Sequence, residues 1–170
     1  MPWPSLAAVL HLLGDCCQLG TSLAWIPNDL VEAVLDAEPD VFGHNIETVR
    51  RLYPIARPEA DYARSLEMLK FVKALVPRQV TKAGIMLGLG EAEEEIIDTF
   101  KDIRSSACDI LTIGQYLRPR TGNLPVRKLY RLEEFEQYRR IGEGLGFRHV
   151  ASGPFVRSSY LAEEIFEEII

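Results

Sequence analysis

Four times between residues 40 and 160 a short apolar run ends in polar residues or glycine, and a helix-spaced apolar pattern follows it. Residues 80–90 are the plainest case: an apolar strand that runs into Gly88-Leu89-Gly90. Glu91, Glu93, Glu94 and Glu95 come next, where negative charge favours the first turn of a helix, and Ile96, Phe100 and Ile103 give that helix a buried face. Residues 109–116 repeat the strand pattern and close on Gln115 and Tyr116. Residues 149–152 repeat it again, and residues 40–47 read as an earlier strand ending in His44, Asn45 and Glu47. Helices are predicted over 30–38, stopped by Pro39, and over 59–76, from Tyr62, Leu66, Leu69 and Val72. Leu132, Phe135, Tyr138, Ile141 and Leu145 mark another, closed by Gly146, and residues 160–170 an acidic last one. Strands that alternate with helices predict an α/β fold with parallel strands and crossover helices. The glycine turn lacks the third glycine of a dinucleotide fingerprint. We therefore expect a partial, incomplete TIM-like β/α barrel, with the strand C-termini converging on one mouth.

Residues 1–24 do not share this pattern; they are apolar, poor in charge, and contain no strand followed by a turn. The chain is accordingly divided into an atypical segment, 1–24, and a barrel portion, 25–170. With 170 residues and 47% hydrophobic content the chain suits one core. A net charge of −6 speaks against a nucleic-acid partner, which needs a basic field. The first apolar run is too short to span a bilayer and has no positive leading region, so neither membrane insertion nor secretion is expected. Three cysteines, Cys16, Cys17 and Cys108, form no disulfide framework and no metal-ligand spacing, which fits a reducing cytoplasm. The one local concentration of positive charge is Arg118, Arg120, Arg127, Lys128 and Arg131, in a Pro/Gly-containing loop. A solvated loop explains it; so does a docking surface for an anionic partner or ligand.

The strand ends supply the candidate site. Asn45 and Glu47 alternate with Ile46, so they share one face and could hold a ribose or an amino-acid moiety, unless they only cap a strand in water. His44 faces the other way and reads as a hydrogen-bonded structural histidine. Gly88 and Gly90 let a ligand approach the backbone, or simply make a tight turn. Lys82 stands near the start of its strand and is a minor candidate. Gln115 brings a donor and an acceptor, and Tyr116 a flat face with one hydroxyl; both also suit a wet strand end. Arg157-Ser158-Ser159-Tyr160 follows the last strand, and on its own reads as a serine cap on the terminal helix.

Several strings together resemble the lipoyl synthases of the radical S-adenosylmethionine superfamily. They include Glu38-Pro39-Asp40-Val41-Phe42-Gly43-His44-Asn45-Ile46-Glu47-Thr48-Val49, where an asparagine usually stands at the Gly43 position, and Arg51-Leu52-Tyr53-Pro54. They also include Thr81-Lys82-Ala83-Gly84-Ile85-Met86-Leu87-Gly88-Leu89-Gly90-Glu91, Leu111-Thr112-Ile113-Gly114-Gln115-Tyr116-Leu117 and Gly146-Phe147-Arg148-His149-Val150-Ala151-Ser152-Gly153-Pro154. The resemblance runs in order from about residue 25 to 164 and covers the C-terminal half of that family.

The resemblance implies a partial (β/α)6 barrel that inserts two sulfur atoms at C6 and C8 of a protein-bound octanoyl chain. Its carriers are lipoyl domains and the glycine cleavage H protein. It implies S-adenosyl-L-methionine and two [4Fe-4S] clusters. One, on a Cys-x3-Cys-x2-Cys motif, generates the 5′-deoxyadenosyl radical. The other is consumed as sulfur donor and is held by three cysteines and one serine of the Arg-Ser-Ser-Tyr motif. Carried over by position, Ser159, with Ser158 second, is the implied iron ligand. Asn45, Glu47, Gly88, Gly90, Glu91, Gln115, Tyr116 and Arg157 are the implied cofactor-binding residues. Neither cysteine motif is present in these 170 residues. Two readings follow: the family reaction with cysteines supplied from elsewhere, or a non-catalytic fragment. An open half-barrel would leave a strand edge unpaired, so poor solubility or oligomerisation of the isolated chain is expected.

Overall fold

The computed structural model describes residues 28–157. The expectations for residues 1–24, for Cys16 and Cys17, for Ser158 and Ser159 and for the terminal helix therefore lie outside the described residues. Inside them the chain runs α1 (Asn28–Leu35), β1 (Val41–Gly43), a 3-10 turn (Arg50–Leu52), α2 (Tyr53–Ala56), α3 (Tyr62–Leu75), β2 (Val80–Leu87), α4 (Glu93–Ser105), β3 (Ile110–Gln115), α5 (Leu132–Gly144) and β4 (His149–Gly153). The sheet is parallel throughout, in the order β1-β2-β3-β4, with helical connections between successive strands. It is open among the described residues, as a partial barrel requires.

Local chemistry starts and stops these elements where expected. Asp61 caps α3 by accepting from the Arg64 N–H at 2.8 Å. Glu95 reaches back to the Ala92 N–H at the head of α4, and Glu134 to the Arg131 N–H at the head of α5. Gly146, at φ +87°, releases the chain after α5 in a conformation that disfavours other residues.

The two faces of the sheet have different jobs. Ala83, Ile85 and Leu87 of β2, Leu111 and Ile113 of β3 and Val150 of β4 point toward the helices and pack with Ile96, Phe100, Ile103, Phe135 and Tyr138. Fully burying a side chain the size of Phe100 or Phe135 contributes on the order of 2–3 kcal/mol each, so this layer dominates cohesion. The opposite face carries Val41, Val80, Ile110 and Ala151 near the strand starts. Toward the strand ends this face is lined by Gly84, Thr112, Gly114 and Gly153.

Below the sheet, Asp109 Oδ2 accepts from Lys73 Nζ at 2.6 Å, from the Thr81 N–H at 2.9 Å and from Thr81 Oγ1 at 3.2 Å. One nearly buried carboxylate thus ties α3, β2 and the entry to β3.

One element departs from expectation. The predicted strand over 40–47 is regular only at Val41–Gly43. The N–H groups of Ile46 and Glu47 both donate to the Gly84 carbonyl, so two residues oppose one, as in a bulge. Glu47 takes up the kink at φ +71° and then rejoins β2 through a bridge to Ile85. Helix 30–38 likewise ends earlier, at Leu35, and Glu38 follows at φ +50°.

Candidate functional site

Asn45 and Glu47 reach the same region by a kink rather than by strand alternation. A Cβ placed on Gly84 would lie 2.8 Å from Asn45 Oδ1 and 2.8 Å from Thr112 Oγ1. The bare backbone at Gly84 therefore admits the Asn45 amide onto the concave face, next to Thr112. The bulge is held from behind: Tyr53 donates its hydroxyl to the Ile46 carbonyl at 2.6 Å, and Arg57 Nη1 donates to the Asn45 carbonyl at 3.2 Å. Burial holds the Glu47 carboxyl above the usual carboxylate range, against the opposing pull of Arg57 and of a hydrogen bond from Asn45. Burial, with Arg57 adding to it, lowers His44 to about 4, so its ring is neutral at pH 7. The expected structural hydrogen bond of His44 is not made at Nε2: this buried atom, like Thr48 Oγ1, has no partner among the described residues.

A second group of residues sits at the ends of β2 and β3. Gly88 and Gly90 have φ values of +123° and +105°. The carboxylate of Glu91 folds back and accepts from the N–H groups of Gly88, Leu89 and Gly90 at 3.0–3.1 Å. Gln115 is buried, not wet. Its amide nitrogen donates to the carbonyls of Leu87, Tyr116 and Lys128, and its oxygen accepts from the Tyr130 N–H. Tyr116 is buried too and donates to the Leu124 carbonyl at 2.9 Å. These polar atoms are spent on fixing the residue 116–131 loop. Their contribution at the mouth is the placement of that loop.

After β4 the chain turns back over the sheet. A Cβ on Gly114 would fall 2.3 Å from the Val156 carbonyl oxygen and 3.2 Å from Arg157 Nη1. Arg157 in turn donates to the Pro154 and Val156 carbonyls at 3.2 and 2.6 Å. The turn thus brings Arg157 to the mouth end of β3.

The structure therefore gathers Asn45 and Glu47 with Thr112, and separately binds Gly88, Glu91, Gln115 and Tyr116 into a loop anchor. Sequence reading missed Tyr53, Arg57 and Thr112. Thr112 had a signal, a polar residue alternating with buried apolar ones within a strand. Arg57 had none, because it follows a short helix without periodicity.

Among the described residues, cysteine chemistry is confined to the other end of the sheet. Cys108 is the only cysteine among the described residues; it precedes β3, is buried, and its thiol is pushed up to about 12, chiefly by that burial. A thiol that stays protonated is a poor iron ligand. Among the described residues no group of three or more His, Cys, Asp or Glu could hold a metal ion. No helix among them is long and apolar enough to cross a membrane.

Residues 9–103 match the family model described as the Radical SAM superfamily. The lipoyl synthase of Rubrobacter xylanophilus is 55% identical over 140 residues, 82% of this chain and 44% of the relative. That of Caldanaerobacter subterraneus subsp. tengcongensis is 55% identical over 135 residues, 79% of this chain and 48% of the relative. That of Alkaliphilus metalliredigens is 49% identical over 140 residues, again covering 82% and 48%. The chain spans less than half the length of these curated relatives. Open parallel sheet, polar groups at the strand ends and ordered sequence similarity agree: the chain belongs to the Radical SAM superfamily, and its similarity within that superfamily is to lipoyl synthases.

Proposed function

We propose that this chain provides the S-adenosylmethionine-binding and substrate-facing part of a lipoyl synthase, the enzyme that inserts sulfur at C6 and C8 of a carrier-bound octanoyl chain. The observation that supports this most is the junction of Asn45, Gly84 and Thr112 on the concave face, because side-chain amide and hydroxyl converge there where a Cβ has been given up. Both groups offer donors and acceptors of the kind that ribose hydroxyls and an amino-acid moiety need. Glu47, whose carboxyl burial holds above the usual range and which is hydrogen-bonded to Asn45, stands beside them. Arg57 and Tyr53 orient this segment from the rear and need not touch the ligand. Gly84 keeps the backbone approachable, while Gly88, Glu91 and Gln115 keep the neighbouring loop in place.

In this reading an iron–sulfur cluster would supply reducing power toward S-adenosylmethionine, held by cysteines from an upstream segment or a separate chain. The described residues do not fit a cluster, since their one cysteine is buried at the wrong end of the sheet. Ser159, with Ser158 as second choice, remains the proposed serine ligand of the sulfur-donating cluster. The partners proposed are octanoylated lipoyl domains and the glycine cleavage H protein, and the compartment is the cytoplasm.

The test is calorimetric titration of the full chain with S-adenosylmethionine. Binding is expected, with Asn45→Ala about tenfold weaker, the equivalent of one hydrogen-bonded contact. A chain that does not bind, or an Asn45→Ala variant that binds as well as the parent, overturns the assignment.

A further inference from the structure

The residue 116–131 loop has a composition unlike the rest of the molecule. It contains Arg118, Arg120, Arg127, Lys128 and Arg131 and no carboxylate, in a chain whose net charge is −6. Lys128 and Arg131 lean on Glu134 of α5, at 2.7 and 3.7 Å. Arg118 donates only to backbone carbonyls of its own loop, at Thr121 and Asn123. The guanidinium groups of Arg120 and Arg127 have neither hydrogen bond nor ion pair among the described residues. Exposed leucines flank and interrupt these cations along the chain: Leu117 is 50% exposed, Leu129 70% and Leu132, just beyond the loop, 67%.

A long loop without secondary structure is ordinarily mobile or functional. This one is pinned. The Arg127 N–H donates to the Gly88 carbonyl at 2.7 Å, the Lys128 carbonyl and Tyr130 N–H are both held by Gln115, and the Leu124 carbonyl is held by Tyr116. The loop therefore lies across the carboxyl ends of β2 and β3, at the end of the sheet where Asn45 and Arg157 are found. A rigid surface that carries two unpaired guanidinium groups, Arg120 and Arg127, among exposed leucines costs solubility and stability unless something covers it.

We infer that this loop is the docking surface for an acidic protein domain, namely the carrier that presents the acyl-lysine to the mouth. The inference rests on the proposed function and adds to it the place where the carrier sits. Leucines among the arginines favour a folded protein over nucleic acid, whose backbone needs cations without an apolar complement. The negative charge of the remaining chain also repels a long polyanion. The cations steer encounter and set orientation, and the leucines supply the dry contact.

The experiment measures binding of octanoylated glycine cleavage H protein to the full chain by surface plasmon resonance. Arg120→Glu/Arg127→Glu is compared with a control of larger charge change elsewhere on the exposed surface, Arg64→Glu/Lys70→Glu/Arg78→Glu. The loop variant is expected to bind about tenfold more weakly, mostly through a slower association, while the control stays within about twofold. The difference should shrink between about 50 and 300 mM salt. Arg120→Glu alone, at a side chain that anchors nothing, serves if the double variant fails to fold. Equal loss in loop variant and control, or no binding by the unaltered chain, overturns the inference. So does duplex DNA retention that the loop variant loses while carrier binding persists. S-adenosylmethionine binding, read on the same variants, is expected to be unchanged, so failure here is separable from failure of the proposed function.

Discussion

Gly88 and Gly90 both have positive φ, yet they should respond differently to alanine, and the difference measures the loop anchor. At either position a Cβ is forced into backbone space that alanine disfavours, which costs about 1–2 kcal/mol. At Gly90 that is nearly all, because the new atom would meet only the Arg127 side chain, Cγ at 3.5 Å and Cβ at 3.8 Å, ordinary contact distances. At Gly88 it would lie 2.3 Å from Gln115 Nε2 and 2.7 Å from the Lys128 carbonyl, which cannot both stay where they are. Moving the amide gives up its bonds to the Leu87 and Lys128 carbonyls, at 2.9 and 3.1 Å. At about 1 kcal/mol for each bond the total for Gly88→Ala comes to about 3–4 kcal/mol. Equilibrium urea unfolding of both variants reads the two values. Limited proteolysis should then cut the 116–131 loop in Gly88→Ala and spare it in Gly90→Ala. Equal destabilisation of the two variants would refute the argument that Gln115 and Gly88 are packed as one unit.

Two further outcomes follow from the base and the rear of the site. Asp109→Ala strands the Lys73 ammonium in a mostly buried place and should cost about 3 kcal/mol in urea unfolding; adding Lys73→Met should recover part of that loss, and a double variant worse than the single would refute the coupling. His44 is lowered to about 4 from an ordinary 6.5, so its contribution is complete above pH 6.5 and is lost as pH falls toward 4, by up to about 3 kcal/mol. His44→Gln should flatten that slope; unfolding free energies that run parallel for parent and variant between pH 7 and 4.5 would count against a buried neutral ring. Glu47 works in the opposite sense, since burial raises it and its contribution is lost as pH rises above the ordinary carboxylate range, so the slope removed by His44→Gln is separable from it.

The α/β alternation was legible because each strand and helix announces itself by period and punctuation. The strands at 80–87, 110–115 and 149–153 lie where apolar runs meet glycine or amides, and α5 ends near Gly146, where the pattern stops. What periodicity cannot show is the non-local part. Gln115 looked like an open strand end because nothing near it in sequence reveals that Gly88, Lys128 and Tyr130 surround it. The bulge at Glu47 was hidden for a similar reason: a positive φ at glutamate has no local signal and exists because Tyr53 and Arg57 hold it.

The close approach at Gly114 sets where the turn after β4 comes to rest. The Val156 carbonyl occupies the volume that any side chain at residue 114 would fill. The turn is thus gauged against the floor of β3 itself, and its height there is that of bare backbone. A methyl group inserted as Gly114→Ala would act as a shim, lifting Val156 and shifting Arg157 with it. The height of Val156 and the reach of Arg157 are in this sense written at residue 114, in a different strand.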